Sequence, residues 1–591
     1  MNLSSTIKSI QDIMRKDDGV DGDAQRLGQL TWMLFLKVFD QREEEWEKES
    51  IHYQSPLPEY LRWCNWASPK ITTDGKKIPK INANEIINFV NNELFTQLKN
   101  LNADLSPTHK VIRDVFCDAN NFMKSGTQLL AVIEKLEEAI HFDDFTQRAQ
   151  IGDVYEQLLN DLRGAGNAGE FYTPRAITQF MVSQVNPRLN SKEVILDPAC
   201  GTGGFLAATI NHLSKQSTTL STFKKMQMIA NSIRGIEKKQ LPHLLCTTNM
   251  LLHGIDVPSQ IEHQNTLSKA WNEWDKDDKV DCIITNPPFG GYEDDSVGSD
   301  FPSEIRTRET ADMFMALIIK KLLKDNGRAA VILPDGFLFG EGVKNSLKEM
   351  LLRDCKLHTI VRLPKGVFAP YTTIKTNLLF FTKNFSSEES HTTFSTDTIW
   401  FYEHPYPAGY KSYSKTRPIS LEEFKPLQEW WGNEDNDFSD RVENEYAWKV
   451  DFKAKREQAE LAAHPHWQQA KELNLKTKEL ETQVNELRNR IIDTKDEYIQ
   501  KEFNAQIQNL DDQIIEINSL SAIEKIKGDS IYSRIFNLDI KNPNYQEEEV
   551  YDPYILLEEY KVLLGKIEET ENKLKTELAF ALSHHFNAGE N

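Results

Sequence analysis

Between residues 166 and 384 short apolar runs alternate with helical stretches, and this alternation narrows the fold more than any other feature of the chain. Val194-Ile195-Leu196, Cys282-Ile283-Ile284, Ala329-Ala330-Val331-Ile332-Leu333 and Asn377-Leu378-Leu379-Phe380-Phe381 each have the length and bounding residues of a buried strand. Strands that alternate with helices predict an α/β fold built on a doubly wound sheet. At 591 residues the chain is too long for one hydrophobic core, so this region is expected to be flanked by further domains.

The flanks read as helical. In the segment 1–165, Leu27, Leu30, Leu34 and Val38 recur at three- and four-residue spacing, as do Leu129, Val132, Ile133 and Leu136, predicting an all-helical N-terminal domain. Residues 385–455 are polar and aromatic, with Trp430, Trp431 and Trp448, and read as an extension leading to the tail. In 456–591, Leu480, Val484, Leu487 and Ile491, then Phe503, Ile507, Leu510, Ile514 and Ile517, have the spacing of a coiled-coil seam. Tyr560, Leu563, Leu564, Ile567, Leu574 and Leu578 supply one more amphipathic helix, with Asp552-Pro553 as its start signal. Such a tail is either a bundle closed on its own chain or a docking surface for a partner.

No run approaches the roughly 20 apolar residues that span a bilayer; the most apolar early stretch, Trp32 to Leu36, is far shorter, and a cytoplasmic protein is the expectation. Six scattered cysteines form no Cys-x-x-Cys pair, which suggests neither a disulfide framework nor a metal site. The formal net charge of −21 suits a phosphate backbone poorly, so any action on nucleic acid calls for help with the grip.

The chemistry-bearing residues lie in the middle region. Asp197-Pro198-Ala199-Cys200-Gly201-Thr202-Gly203-Gly204-Phe205 follows a strand and opens a helix, so backbone N–H groups at a helix N-terminus face a ligand with no Cβ in the way. No Lys-Ser/Thr follows the glycines, as a triphosphate loop would require. Glu237, ending Arg234-Gly235-Ile236, can accept hydrogen bonds from both hydroxyls of a ribose, although a polar insertion around Gln216 to Lys225 lengthens the usual spacing; a plain surface acid is the alternative.

A second buried strand ends in Asn286-Pro287-Pro288-Phe289. The two prolines fix the backbone, so the Asn286 side-chain oxygen and the Pro287 carbonyl can converge as a pair of acceptors. Two acceptors suit one planar amino group, whose nitrogen becomes nucleophilic as both N–H bonds are held and its lone pair is withdrawn from the ring. Phe289 is placed to stack on a base extruded from a duplex.

These residues resemble the amino-methyltransferase family, with D-P-A-C-G-T-G-G-F as its cofactor motif and N-P-P-F as its catalytic motif. Gly169-Glu170-Phe171-Tyr172-Thr173-Pro174-Arg175 is similar to the G-x-F-Y-T-P segment of modification subunits of type I restriction-modification systems, where it lies against the methionine part of S-adenosylmethionine. On physical grounds the same turn could be a hydrophobic staple. Also similar are Ala311-Asp312-Met313-Phe314 opening a helix, Gly327 to Pro334 as a strand, and Gly366 to Thr372 ahead of Lys375-Thr376-Asn377. The resemblance implies a Rossmann-like S-adenosylmethionine-dependent domain methylating N6 of a flipped DNA adenine, with Phe368 or Tyr371 on the other face of the base. Asn265 stands where the family often has Gly-Asp, an acid near the methionine or adenine of the cofactor. It further implies a separate specificity subunit joined to two copies of this one, with a restriction subunit completing the nuclease. Related motifs also serve enzymes that methylate RNA bases or protein glutamine, and a scaffold that lost turnover is the non-enzymatic alternative.

Overall fold

The computed structural model describes residues 3–139, isolated positions between 152 and 159, 172–216, 221–384, 393–544 apart from 415, and 560–576 apart from 562. Residues 1–541 form one compact unit and 542–591 another.

The N-terminal segment is built from helices, among them Leu3–Met14, Gly22–Glu49, Pro107–Phe116 and Gly126–Ala139. The periodic residues named above all face inward: Leu27, Leu30, Leu34 and Val38 on one helix and Leu129, Val132, Ile133 and Leu136 on another are buried in a common core. The segment is not wholly helical, because Lys70–Ile71 (β1) and Lys77–Ile78 (β2) pair as an exposed two-stranded hairpin around Gly75, whose φ of +78° makes the turn. Two-residue strands leave no periodicity to read.

The central sheet has nine strands: Ile195–Asp197 (β3), Ile233–Glu237 (β4), Ile261–His263 (β5), Val280–Thr285 (β6), Leu323–Pro334 (β7), Cys355–Arg362 (β8), Thr376–Lys383 (β9), Thr398–Glu403 (β10) and Ala447–Asp451 (β11). Their spatial order is β11-β10-β8-β9-β7-β6-β3-β4-β5. β3 to β7 are parallel, whereas β9 runs antiparallel between β7 and β8, and β11 is antiparallel to β10. Alternate residues of each inner strand enter opposite cores. Ala329, Val331 and Leu333 of β7 pack with Phe314 and Leu347, while Ala330 and Ile332 pack with Phe180 and Phe205. Burial on both faces is why these strands appear as continuous apolar runs.

The stretch 385–455, read above as an extension, supplies β10 and β11 to this sheet. Trp448 stacks on Phe401 with ring centroids 5.3 Å apart, and the Arg441 guanidinium lies over Phe438 at 3.7 Å, with the Trp430 and Trp431 rings at 4.6 and 5.1 Å. These strands of five and six residues, the first at the sheet edge and the second next to it, lack the long apolar signature of the inner ones.

Beyond β11 the chain forms an antiparallel hairpin of Phe452–Asp493 and Glu497–Ser533, whose first turns are capped by Asp451 (Ala454 N donating, 2.8 Å) and Asp496 (Tyr498 N donating, 2.9 Å). Val484 and Ile507 are buried, with Leu480, Leu487, Ile491, Phe503, Leu510, Ile514 and Ile517 half-buried. The seam is continued by small residues: Ala463, Ala470, Thr477 and Val484 are buried at seven-residue steps, opposite Ser521 and Gly528. In the second unit residues 560–576 are helical apart from the undescribed 562, with Tyr560, Leu563, Leu564, Ile567 and Leu574 exposed; Asp552, Pro553 and Leu578 lie outside the described residues.

Candidate functional site

β3 pairs with β4 on one side and β6 on the other, so the strand order reverses there and a crevice opens beyond the C-terminal ends of the three strands. Both sequence motifs reach that crevice. β3 ends at Asp197, and the turn 198–203 leads into the helix Gly204–Ser214. Gly203 sits at φ +81°, where a Cβ would come within 2.8 Å of Cys246 Sγ, so the backbone must be bare at this point.

Parallel pairing sets Asp197 opposite Gly235 and thereby carries Glu237 to the turn in spite of the long connection. One Glu237 oxygen accepts the Gly201 N–H at 2.9 Å and the other the Lys239 N–H at 2.7 Å. Burial raises its affinity for a proton, opposed by those N–H groups. The Asp197 carboxylate accepts the Thr285 hydroxyl at 2.7 Å and the Ala199 N–H at 3.2 Å, yet burial pushes its pKa up to about 7.

β6 delivers the second motif. The Asn286 amide donates to Thr173 Oγ1 at 3.1 Å, while its Oδ1 is buried with no hydrogen-bond partner among the described residues. Such an acceptor costs about 1–3 kcal/mol unless something donates to it. The Thr310 hydroxyl donates to the carbonyls of Pro288 (2.9 Å) and Gly291 (3.2 Å), pinning the turn after the prolines. Pro287 is buried, Pro288 exposed and Phe289 half-buried, its ring T-shaped to that of Phe368 at 6.3 Å between centroids.

A cavity of about 260 Å³ lies between the two turns. Thr173, Asp197, Pro198, Ala199, Cys200, Gly201, Thr202, Gly204, Glu237, Asn265, Asn286 and Pro288 line it, whereas Gly203, Pro287, Phe289 and Phe368, also expected at the site, do not. Other expected residues act behind the wall. Tyr172 is buried in the core of the N-terminal helices, and Pro174 precedes the first turn of the helix Arg175–Val185. Arg175 Nε lies 3.3 Å from Glu156, whose carboxylate accepts the Asn249 amide at 2.6 Å; Asn249 also donates to the Thr202 carbonyl at 3.1 Å. Tyr371 is half-buried and does not line the cavity. Glu170 and Phe171 lie outside the described residues.

Sequence reasoning missed Thr285, Thr310, Lys238 and Glu293. Thr285 was visible as the residue before Asn-Pro-Pro, but the other three acquire meaning only through contacts distant in sequence. Glu293, at 9% exposure, lines the cavity, accepts from Lys238 Nζ at 2.8 and 3.1 Å, and lies 3.4 Å from the Asn265 amide nitrogen.

Comparison with known proteins agrees with this geometry. A sequence model described as N-6 DNA methylase matches residues 146–474, and one described as the HsdM N-terminal domain matches residues 3–136. The chain is 47% identical over 585 residues to the methylase subunit of the type I restriction enzyme EcoEI of Escherichia coli, with 99% of each covered. It is 27% identical over 435 residues to the StySPI methylase subunit of Salmonella potsdam, covering 72% of this chain and 75% of that one. A modification subunit assigned to a type I restriction enzyme of Vibrio vulnificus superposes with a TM-score of 0.61 at 38% identity, over 76% of this chain and 91% of the other. A chain from a study of complex assembly and conformational transition of the type I R-M system superposes with a TM-score of 0.68 at 28% identity, over 97% and 98%. The Asn286 turn, the glycine turn beside it and near full-length similarity lead to one conclusion: the chain belongs to the N-6 DNA methylase family, among the methylase subunits of type I restriction enzymes.

Proposed function

We propose that the cavity brings S-adenosylmethionine beside an adenine flipped out of DNA, and that Asn286 and the Pro287 carbonyl grip the 6-amino group of that base. The observation that carries this reading is the buried Asn286 Oδ1, without a donor among the described residues, on an amide whose other end is fixed by Thr173. An adenine N–H directed there would satisfy it. The residues present suit the methyl donor: a bare glycine turn, a carboxylate at Glu237 for ribose hydroxyls, and a second carboxylate at Asp197 beneath the turn. When bound, the donor supplies a methyl group already activated on a sulfonium.

The chain's own contribution is positioning and electrostatics. Thr173 fixes the orientation of the Asn286 amide, Thr310 holds the Pro288 carbonyl, and Phe368 supports the Phe289 ring that faces the base. Glu237 is kept in place by Gly201 and Lys239, leaving further lone pairs for a ligand. Selection of the DNA site is assigned to a separate specificity subunit, present with two copies of this chain and joined by a restriction subunit, the helical hairpin serving as the handle. The net charge of −21 supports that division of labour. The proposed domains are 1–165, 166–384, 385–455 and 456–591, with the second as the catalytic one.

Asn286→Ala tests the reading. Assembled with its specificity subunit, the variant should lose methylation by at least about a hundredfold while binding S-adenosylhomocysteine within about threefold of wild type by calorimetry. Methylation at the wild-type rate would refute the assignment.

A further inference from the structure

Glu293 has a position that the assigned roles do not explain. The segment after Phe289 is stapled to residues 308–310: Thr310 N donates to the Gly291 carbonyl at 3.0 Å, Glu293 N to the Arg308 carbonyl at 3.0 Å, and Arg308 Nε to the Glu293 carbonyl at 3.1 Å. The backbone at Glu293 is thus held without its side chain. Its partner Lys238 is exposed, and an ion pair with an exposed lysine contributes little to stability. Yet the carboxylate is buried in the cavity wall, on the same side as Asn265 and Gln264.

If Glu237 receives the ribose, the base attached to it extends past the ends of β4 and β5, toward Lys238, Gln264, Asn265 and Glu293. An ionised carboxylate only accepts hydrogen bonds. It therefore favours a purine with an exocyclic amine at position 6 and opposes one with a carbonyl there. Asn265, through its amide nitrogen 3.4 Å from Glu293, braces the acid, and its own Oδ1 is occupied by the Leu267 N–H at 3.1 Å. We infer that Glu293 is the residue that selects the adenine of the methyl donor, supplying from the loop after the catalytic turn the acid that position 265 lacks. This inference rests on the cofactor reading of the cavity.

The test is a thermodynamic cycle on the full chain, with S-adenosylhomocysteine and its 6-oxo counterpart S-inosylhomocysteine as probes and calorimetry as readout. Wild type should prefer the amino compound by about ten- to a hundredfold, the range set by a hydrogen bond to a charged group. Glu293→Ala should cut that preference by about tenfold or more, and Glu293→Gln, whose amide oxygen still accepts, should restore part of it. The isosteric Gln variant also keeps the cycle measurable should the Ala variant misfold. An unchanged preference in either variant while wild type binds S-adenosylhomocysteine overturns the role of Glu293 alone. Failure of wild type to bind S-adenosylhomocysteine overturns the cofactor reading and this inference with it.

Discussion

At the residue scale the site is governed by two buried oxygens in opposite conditions. Asn286 Oδ1 lacks a donor among the described residues, whereas Asp197 has two and still retains a proton near neutrality because burial outweighs them. The folded Asp197 carboxyl, at about 7, exceeds its ordinary 3.8, so between those values the folded chain binds more protons than the unfolded one. Its contribution to stability is therefore present at low pH and lost as pH rises through that window. Urea denaturation at pH 5 and 7.5 should show wild type losing about 2 kcal/mol relative to Asp197→Asn. A cationic ligand should draw the proton off, so binding of S-adenosylmethionine near pH 6.5 should release part of a proton, seen as calorimetric enthalpies that vary with buffer ionisation heat. Asp197 and Glu237 were legible as candidates because each ends a strand. Glu293 was not, since nothing near it in sequence announces the staple to Arg308 and Thr310 that turns it inward.

Among elements, the inner strands were legible because alternate residues enter two separate cores, leaving an unbroken apolar run. β10 and β11 were not, because short aromatic strands set among polar residues at the margin of the sheet look like an extension until their pairing is known. The spacing of Glu237 was awkward on paper and resolved by register, since Asp197 pairs with Gly235 whatever the length of the connection. The turns also yield a contrast. Gly203 and Gly290 both have positive φ, at +81° and +65°, but a Cβ meets Cys246 Sγ at 2.8 Å in the first case and nothing among the described residues within 4 Å in the second. Gly290→Ala should cost only the conformational penalty, about 1 kcal/mol. Gly203→Ala adds overpacking, for a total of about 2–4 kcal/mol, and should weaken S-adenosylhomocysteine binding at least tenfold; equal melting temperatures for the two variants would contradict this account.

Over the whole molecule, the N-terminal helices and the sheet domain share a core. Leu244, Leu245, Leu251 and Leu252 of the helix Gln240–Leu252 are buried with Leu30, Phe35 and Phe116, and Arg42 bonds to Asp256. Removing residues 1–136 should therefore leave a fragment that aggregates and binds no S-adenosylhomocysteine, as light scattering and calorimetry would register. Trimming 480–511, the outer end of the hairpin, should leave ligand binding within about twofold of wild type. The shared core is also crossed by the Arg175–Glu156–Asn249 linkage to Thr202. A genetic screen for lost methylation should consequently return lesions in two bands, one around the catalytic turns and another in the hydrophobic seam beneath the first helices. The second class would be rescued by low temperature or excess donor, because its defect lies in holding the glycine turn rather than in handling the base.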